Sequence, residues 1–248
     1  MILNLIKKGS KMNYPFQYER FLILKELSKP YSLSDDEIDI IFSKRYLHWD
    51  TDTLVEKYFN FLLNIDVKIL IEKNSTIYNN KITNSIPQFS NLDIALNDLI
   101  DLVIVTGQDG IGFIEAGFNL LGIGKKNGAY CKYGENHLKI LAQLGLIKKG
   151  KNKFYENCIT INYKNLDINK KEKITSRLIL TIPLISKLIY DAYDNDIYIA
   201  DYLHSLSPST QKRRISNINT LLKYVYNSND ISIDLMKRIK MWNEFERN

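Results

Sequence analysis

The sequence predicts a mainly α chain with small β-hairpins, an α+β arrangement of compact units in series. Three observations lead to it. Apolar residues recur with a period near 3.6 through most of the chain; the few alternating runs are short and bounded by Asn, Gly or Lys turns; and the order of helices followed by a hairpin occurs twice. At 248 residues the chain has room for two or three units, and its apolar and charged fractions of 45% and 25% are those of a globular protein. The boundaries predicted are 13–82, 90–162 and 174–248.

In the first unit, Phe16, Phe21, Leu24 and Leu27 define a helix over residues 16–28 that ends before Pro30. Ser34 followed by Asp35, Asp36 and Glu37 is a capping box, with acids at the positive end of the helix dipole, and starts a second helix running to about Tyr46. Asp50 and Thr51 cap a third, through Leu63. Residues 67–71 alternate into Asn74-Ser75 and then 76–78, which reads as strand, turn and strand. Three helices and a hairpin form a winged-helix pattern.

The second unit repeats the order. Leu92, Ala95, Leu96, Leu99, Leu102 and Val103 line one face of a helix over residues 91–105, residues 113–121 supply another, and residues 133–144 a third with Gly145 as left-handed C-cap. Residues 146–148 and 153–155 then flank the turn Lys149-Gly150-Lys151-Asn152 as a basic hairpin, or wing. Glycines 107, 110, 112, 117, 122, 124 and 128 cluster here, but match neither the GxGxxG dinucleotide turn nor the GxxxxGK[ST] phosphate loop, so they read as turns and close helix contacts.

Polar residues 162–173 suggest a linker before the third unit. There, residues 176–190 read as one helix and residues 197–203 as a short second helix. After a turn at 204–207, Pro208 behind a Ser cap opens a long helix to about Tyr226. Its apolar face is Ile215, Ile218, Leu222 and Val225, which leaves Ser209, Thr210, Lys212, Arg213, Ser216 and Asn217 free, as in a helix-turn-helix.

Charge narrows the function classes. The net charge of +6 favours a polyanionic partner. A bias toward Asn, Ile, Lys and Tyr raises lysine everywhere, so clustering matters more than the total. Residues 124–153 hold eight lysines against one acid, Glu135, and residues 205–229 hold four cations and no acid, whereas the first 90 residues carry twelve cations and eleven acids. The longest apolar stretch, LILTIPLIS at 178–186, is far short of the roughly 20 residues that span a bilayer. The N-terminal MILNLIKKGSK lacks the order of a secretory signal, so a cytoplasmic protein without membrane contact is expected. Cys131 and Cys158 stand alone, giving neither a disulfide framework nor a zinc site, and His137 reads as a polar contact.

A reader of duplex DNA needs cations for phosphates and Arg, Asn, Gln, Ser or Thr for base edges. Ser209, Thr210, Gln211, Lys212, Arg213, Arg214 and Asn217 supply both near one helix start; Lys132, Asn136 and Lys139 do so on the earlier helix, with Lys148, Lys149 and Lys151 on its wing. The string LHSLSPSTQKRRISNINTLLKYV at 203–225 resembles the second half of bacterial helix-turn-helix domains, with His204-Ser205 in place of the usual Gly and Gln211 in place of an apolar residue. NGAYCKYGENHLKILAQLGLIKK at 127–149 resembles DNA-binding portions of restriction-modification proteins. These resemblances imply tandem winged-helix and helix-turn-helix domains that bind double-stranded DNA at specific sites. They also imply the recognition component of a restriction-modification or defence system, acting as a homodimer or with a separate nuclease subunit and needing no cofactor.

An enzyme remains the competing class. Asp66-Val67-Lys68 has the D-x-K form of a restriction-nuclease core, and Asp50 or Asp52 would be the upstream acid of a Mg²⁺ site in a type II endonuclease. On the favoured, non-catalytic reading, no residue is assigned to catalysis or metal binding, and Trp49 and the sixteen tyrosines belong to core and composition. A transcriptional regulator or plasmid replication initiator is also compatible with the predicted domains.

Overall fold

The computed structural model describes residues 18–42, 51–78 and 88–242, so Phe16, Trp49, Asp50 and the end of the predicted second helix at Tyr46 lie outside the described residues. The described chain is 71% helical with a few short strands, a mainly α fold. Helix α1 (Tyr18–Ser28) buries Phe21, Leu24 and Leu27. Helix α2 (Asp35–Phe42) starts from the predicted capping box: Ser34 N donates to Glu37 Oε2 at 2.8 Å, and Glu37 N donates to Ser34 Oγ at 3.1 Å. Helix α3 (Asp52–Asn64) starts behind Thr51, which stands at the expected N-cap position but makes no side-chain cap hydrogen bond.

The hairpin expected at residues 67–78 is instead helix α4 (Val67–Ser75). Asp66 caps it by accepting from Lys68 N at 2.7 Å and Ile69 N at 3.2 Å, and its buried positions, Leu70, Ile71 and Asn74, have the spacing of a helix face. The β-branched run is compatible with a strand in isolation. Packing against α11 (Pro183–Ala192) selects the helix. Among its described residues, which include all of the expected hairpin, the first unit therefore carries no wing.

The second segment keeps its predicted order. Helix α5 (Leu92–Ile94) passes through a π-helical turn (Ala95–Leu99) into α6 (Ile100–Thr106), and α7 (Phe113–Leu121) and α8 (Asn127–Gln143) follow. Strands β1 (Lys148–Lys149) and β2 (Phe154–Tyr155) pair antiparallel with Lys148 opposite Tyr155. Ile111 adds a third rung: its N donates to Phe154 O at 2.8 Å and its O accepts from Phe154 N at 2.9 Å. Gly145, at φ +77°, ends α8 as predicted, with Leu146 N reaching back to Leu141 O at 3.0 Å.

The expected linker at 162–173 is occupied by the end of α9 (Cys158–Lys164), which Asn157 caps, and the start of α10 (Ile168–Leu180); Asp167, acting as N-cap, opens that second helix within the polar stretch. The single helix expected at 176–190 is broken at Thr181 and Ile182, because Pro183 cannot donate into a continuing helix and instead opens α11. Residues 174–186 are buried without interruption, so LILTIPLIS is the inside of this α10–α11 corner. Residues 197–203, expected as a helix, form strand β3 (Ile197–Tyr198) and a 3₁₀ turn (Ile199–Tyr202). Strand β3 pairs in parallel with β4 (Ile239–Lys240), which follows α12 (Pro208–Asn227) and α13 (Ile233–Arg238).

Buried apolar residues from Phe21 to Ile239 form one contiguous cluster running through all three predicted units. Two buried arginines tie the units together. Arg20 on α1 donates to Gln143 O at 2.6 Å and to Thr181 Oγ1, and Arg177 on α10 donates to Ile65 O at 2.7 Å. No helix among the described residues is long and apolar enough to cross a membrane.

Candidate nucleic-acid interface

The helix pair α7–α8 is held at unusually short range by two glycines. A Cβ at Gly117 would lie 1.9 Å from Tyr130 O, and one at Gly134 would lie 2.0 Å from Phe113 O, so the two backbones touch where no side chain fits. Between the helices, the Tyr130 hydroxyl donates to Gly122 O and accepts from Lys125 N, both at 2.9 Å, while its ring packs edge-on against Phe118. The turn is thereby pinned to α8 from inside, and Lys125 and Lys126 are left exposed at the start of that helix.

Along α8, Lys132 and Lys139 are exposed and Asn136 is half-buried. The two lysines are not free. Both clamp Glu135, at 3.0 Å and 2.5 Å, and these bonds, that from Lys139 foremost, hold its carboxyl below the usual glutamate range. The row carries one net positive charge and one carboxylate acceptor, which suits a cytosine amino group as well as phosphates. His137 is 1% exposed, stacks on Tyr133 and places Nδ1 2.8 Å from Tyr133 O, so that nitrogen carries the proton; burial lowers its pKa.

On the wing, Gly150 N donates to Lys153 O at 2.8 Å and closes the turn. Lys148 lies over the Tyr155 ring at 5.9 Å and Lys153 donates to Asp109 O at 2.9 Å, whereas Lys149 and Lys151 are exposed and make no ion pair among the described residues. A shallow depression of about 680 Å³, lined by Phe113, Phe118, Asn127, Tyr130 and Lys153 among others, connects α7, the start of α8 and the wing.

Helix α12 departs from its expected role in part. Ser209, Lys212 and Arg213 are exposed and Thr210 is half-buried, but Asn217, expected to read bases, is only 4% exposed and donates through Nδ2 to Phe89 O at 2.7 Å. Its position between Ile215 and Ile218 turns it inward, and the bond to a distant carbonyl satisfies the amide there. The Ser207 hydroxyl, expected to cap the helix, donates instead to the Thr210 hydroxyl at 2.9 Å. Gln211 fills an apolar position because its Nε2 donates to Leu203 O and Leu206 O, at 3.1 and 3.0 Å, closing the preceding turn. Arg214 is half-buried, and burial, reinforced by neighbouring Arg213, lowers its pKa.

The segment joining these helices is short. Phe89 O holds Asn217 of α12, and the next residue, Ser90, donates through Oγ to the Tyr133 hydroxyl of α8 at 3.0 Å. Consecutive residues thus fasten the two basic helices to one another. Neither family models, nor curated proteins, nor solved structures yield a match to this chain.

The D-x-K segment does not have the geometry its nuclease reading requires. Asp66 is a helix cap and Lys68 is in the first turn of α4, while Asp52 accepts from Asn162 at 3.0 Å. Among the described residues no group of three or more His, Cys, Asp or Glu is placed to hold a metal ion. Lys125, Lys126 and Arg214 were visible in the sequence as basic residues, but only the folded turn and the helix contacts distinguish them from Lys132 and Lys139, whose charges are shared with Glu135.

Proposed function

We propose that this chain binds double-stranded DNA through a winged helix-turn-helix formed by residues 92–155, with α8 as the groove-reading helix and the β1–β2 hairpin as the wing. The order helix, short strand, helix, turn, helix, hairpin supports it, as does Ile111 pairing to the outer hairpin strand. The observation that carries it is the charge distribution: eight lysines against one acid over residues 124–153, with Lys125, Lys126, Lys149 and Lys151 exposed on the turn and wing. Such cations meet phosphates, and Asn136 and the polar start of α8 meet base edges.

Helix α12 supplements this surface. Its exposed Lys212 and Arg213 lie within two turns of Asn217, with exposed Ser209 just beyond, and Asn217 shares the 89–90 segment with α8. On this reading, helped by the resemblance of residues 127–149 to restriction-modification proteins, the chain is a site-specific recognition component of a restriction-modification or defence system, acting as a homodimer or beside a nuclease subunit.

The test is a fluorescence-anisotropy titration of the full chain on duplex DNA at 50 to 200 mM salt. About six phosphate contacts give roughly a thousandfold loss of affinity over that range, because bound lysines release condensed counterions. Lys149→Ala with Lys151→Ala weakens all sequences alike and flattens the slope, whereas Arg213→Ala changes the sequence preference. Affinity that does not vary with salt rules the proposal out.

A further inference from the structure

The turn before α8 contains a feature that lysine–phosphate contact does not use. Ile123 is 91% exposed, more than Val105, Ile114 or Phe118, and stands between Gly122 at φ +69° and Gly124 at φ +101°. Neither glycine has a neighbour within 4 Å of where a Cβ would be, so nothing covers the isoleucine from the sides. A single exposed apolar residue is ordinary on a protein surface. The support beneath this one is not: the buried Tyr130 hydroxyl bonds Gly122 O on one side of Ile123 and Lys125 N on the other, each at 2.9 Å. The side chain is therefore presented on a fixed loop, with exposed Lys125 and Lys126 directly behind it.

We infer that Ile123 is a specificity-determining residue that packs against a thymine 5-methyl group at the edge of the major groove. The inference rests on the DNA-binding reading above and deepens it. Of the groups displayed in that groove, the thymine methyl is the apolar one, and contact with it needs an apolar side chain rather than a donor or acceptor. Lys125 and Lys126 supply the attraction that brings an uncharged residue to a polyanion, and they precede the helix that the proposed function puts in the groove. Holding the loop in advance means that little loop entropy is lost on binding. Tyr130 is the positioning residue, acting through the backbone of the turn.

The experiment first selects preferred duplexes from a random pool with the full-length wild-type chain. Each thymine of the selected site is then replaced in turn by deoxyuridine, which removes only the 5-methyl group, and affinity is read by anisotropy. One or two positions are expected to lose about fourfold in affinity, the worth of one methyl group taken out of water. Ile123→Ala binds thymine and uracil forms alike. Tyr130→Phe keeps the ring against Phe118 but frees the turn, and it loses most of the thymine-over-uracil ratio whatever its effect on overall affinity. A wild-type chain that selects or binds DNA yet treats thymine and uracil equally at every position overturns this inference and leaves the DNA-binding reading intact; so does Ile123→Ala with undiminished discrimination. If Ile123→Ala instead turns a dimer into a monomer in sedimentation while discrimination persists, the residue faces a second copy of the chain and the inference is wrong. A wild-type chain that binds no duplex at all removes both.

Discussion

Replacing Gly134 with Ala places a methyl group where α7 and α8 touch through their backbones. The new Cβ would lie 2.0 Å from Phe113 O, 2.9 Å from its carbonyl carbon and 2.8 Å from Gly117 N, and ordinary contact begins near 3.4 Å, so the helices must part locally by 1.4 Å (3.4 − 2.0). No rotamer change relieves a clash between backbone atoms. Overpacking of this kind costs about 1 to 3 kcal/mol, with the backbone case at the upper end, and the better helix propensity of alanine returns about 1 kcal/mol. The net loss is about 2 kcal/mol, or roughly 4 to 8 °C in Tm for a chain of this size. Gly128 is the internal control: it lies in the same helix with nothing within 4 Å, so Gly128→Ala keeps the propensity gain and pays no steric penalty. Thermal unfolding followed by circular dichroism compares the two variants directly. Equal midpoints, or a Gly134→Ala protein as stable as wild type, would refute the close-contact argument.

Three other substitutions probe the buried polar groups. Asn217→Ala leaves the Phe89 carbonyl without its donor and should cost about 1 to 3 kcal/mol in urea unfolding while leaving DNA sequence preference unchanged; loss of preference without loss of stability would return Asn217 to the base-reading set. Asp230→Asn breaks a network in which a fully buried carboxylate meets Lys173, Arg177 at 3.2 Å and the Ser176 hydroxyl, and removing one partner of such a network costs about 3 to 5 kcal/mol; an unchanged urea midpoint would show the network to be dispensable. His137, whose pKa in the folded chain is below its ordinary 6.5, is neutral in both states above that value and takes up its proton more readily when unfolded below it, so wild-type stability falls as pH drops from 6.5 toward the folded pKa. Tm measured from pH 7.5 to 5.5 should fall less steeply for His137→Gln, and parallel curves would remove His137 as the cause.

What the sequence determined by itself are the features closed within a few residues: the Ser34–Glu37 capping box, the start of α12 at Pro208, the end of α8 at Gly145 and the hairpin around Gly150. In each, a backbone donor or acceptor finds its partner, or a proline or glycine sets its own φ, without reference to the rest of the chain. The basic character of residues 124–153 is equally local. What only tertiary structure decided depends on partners far along the chain. Residues 67–75 satisfy their backbone as helix or strand alike, and the neighbouring α11 settles the choice. Asn217 has the spacing of an exposed residue until Phe89, 128 positions away, offers it a carbonyl. Arg20 has the spacing of an exposed cation until Gln143 O and Thr181 Oγ1, 123 and 161 positions away, take up its guanidinium. The division follows from range: a hydrogen bond across three or four residues is written into the local sequence, whereas burial, which costs a polar group its water, is known only when the distant surface that replaces that water is in place.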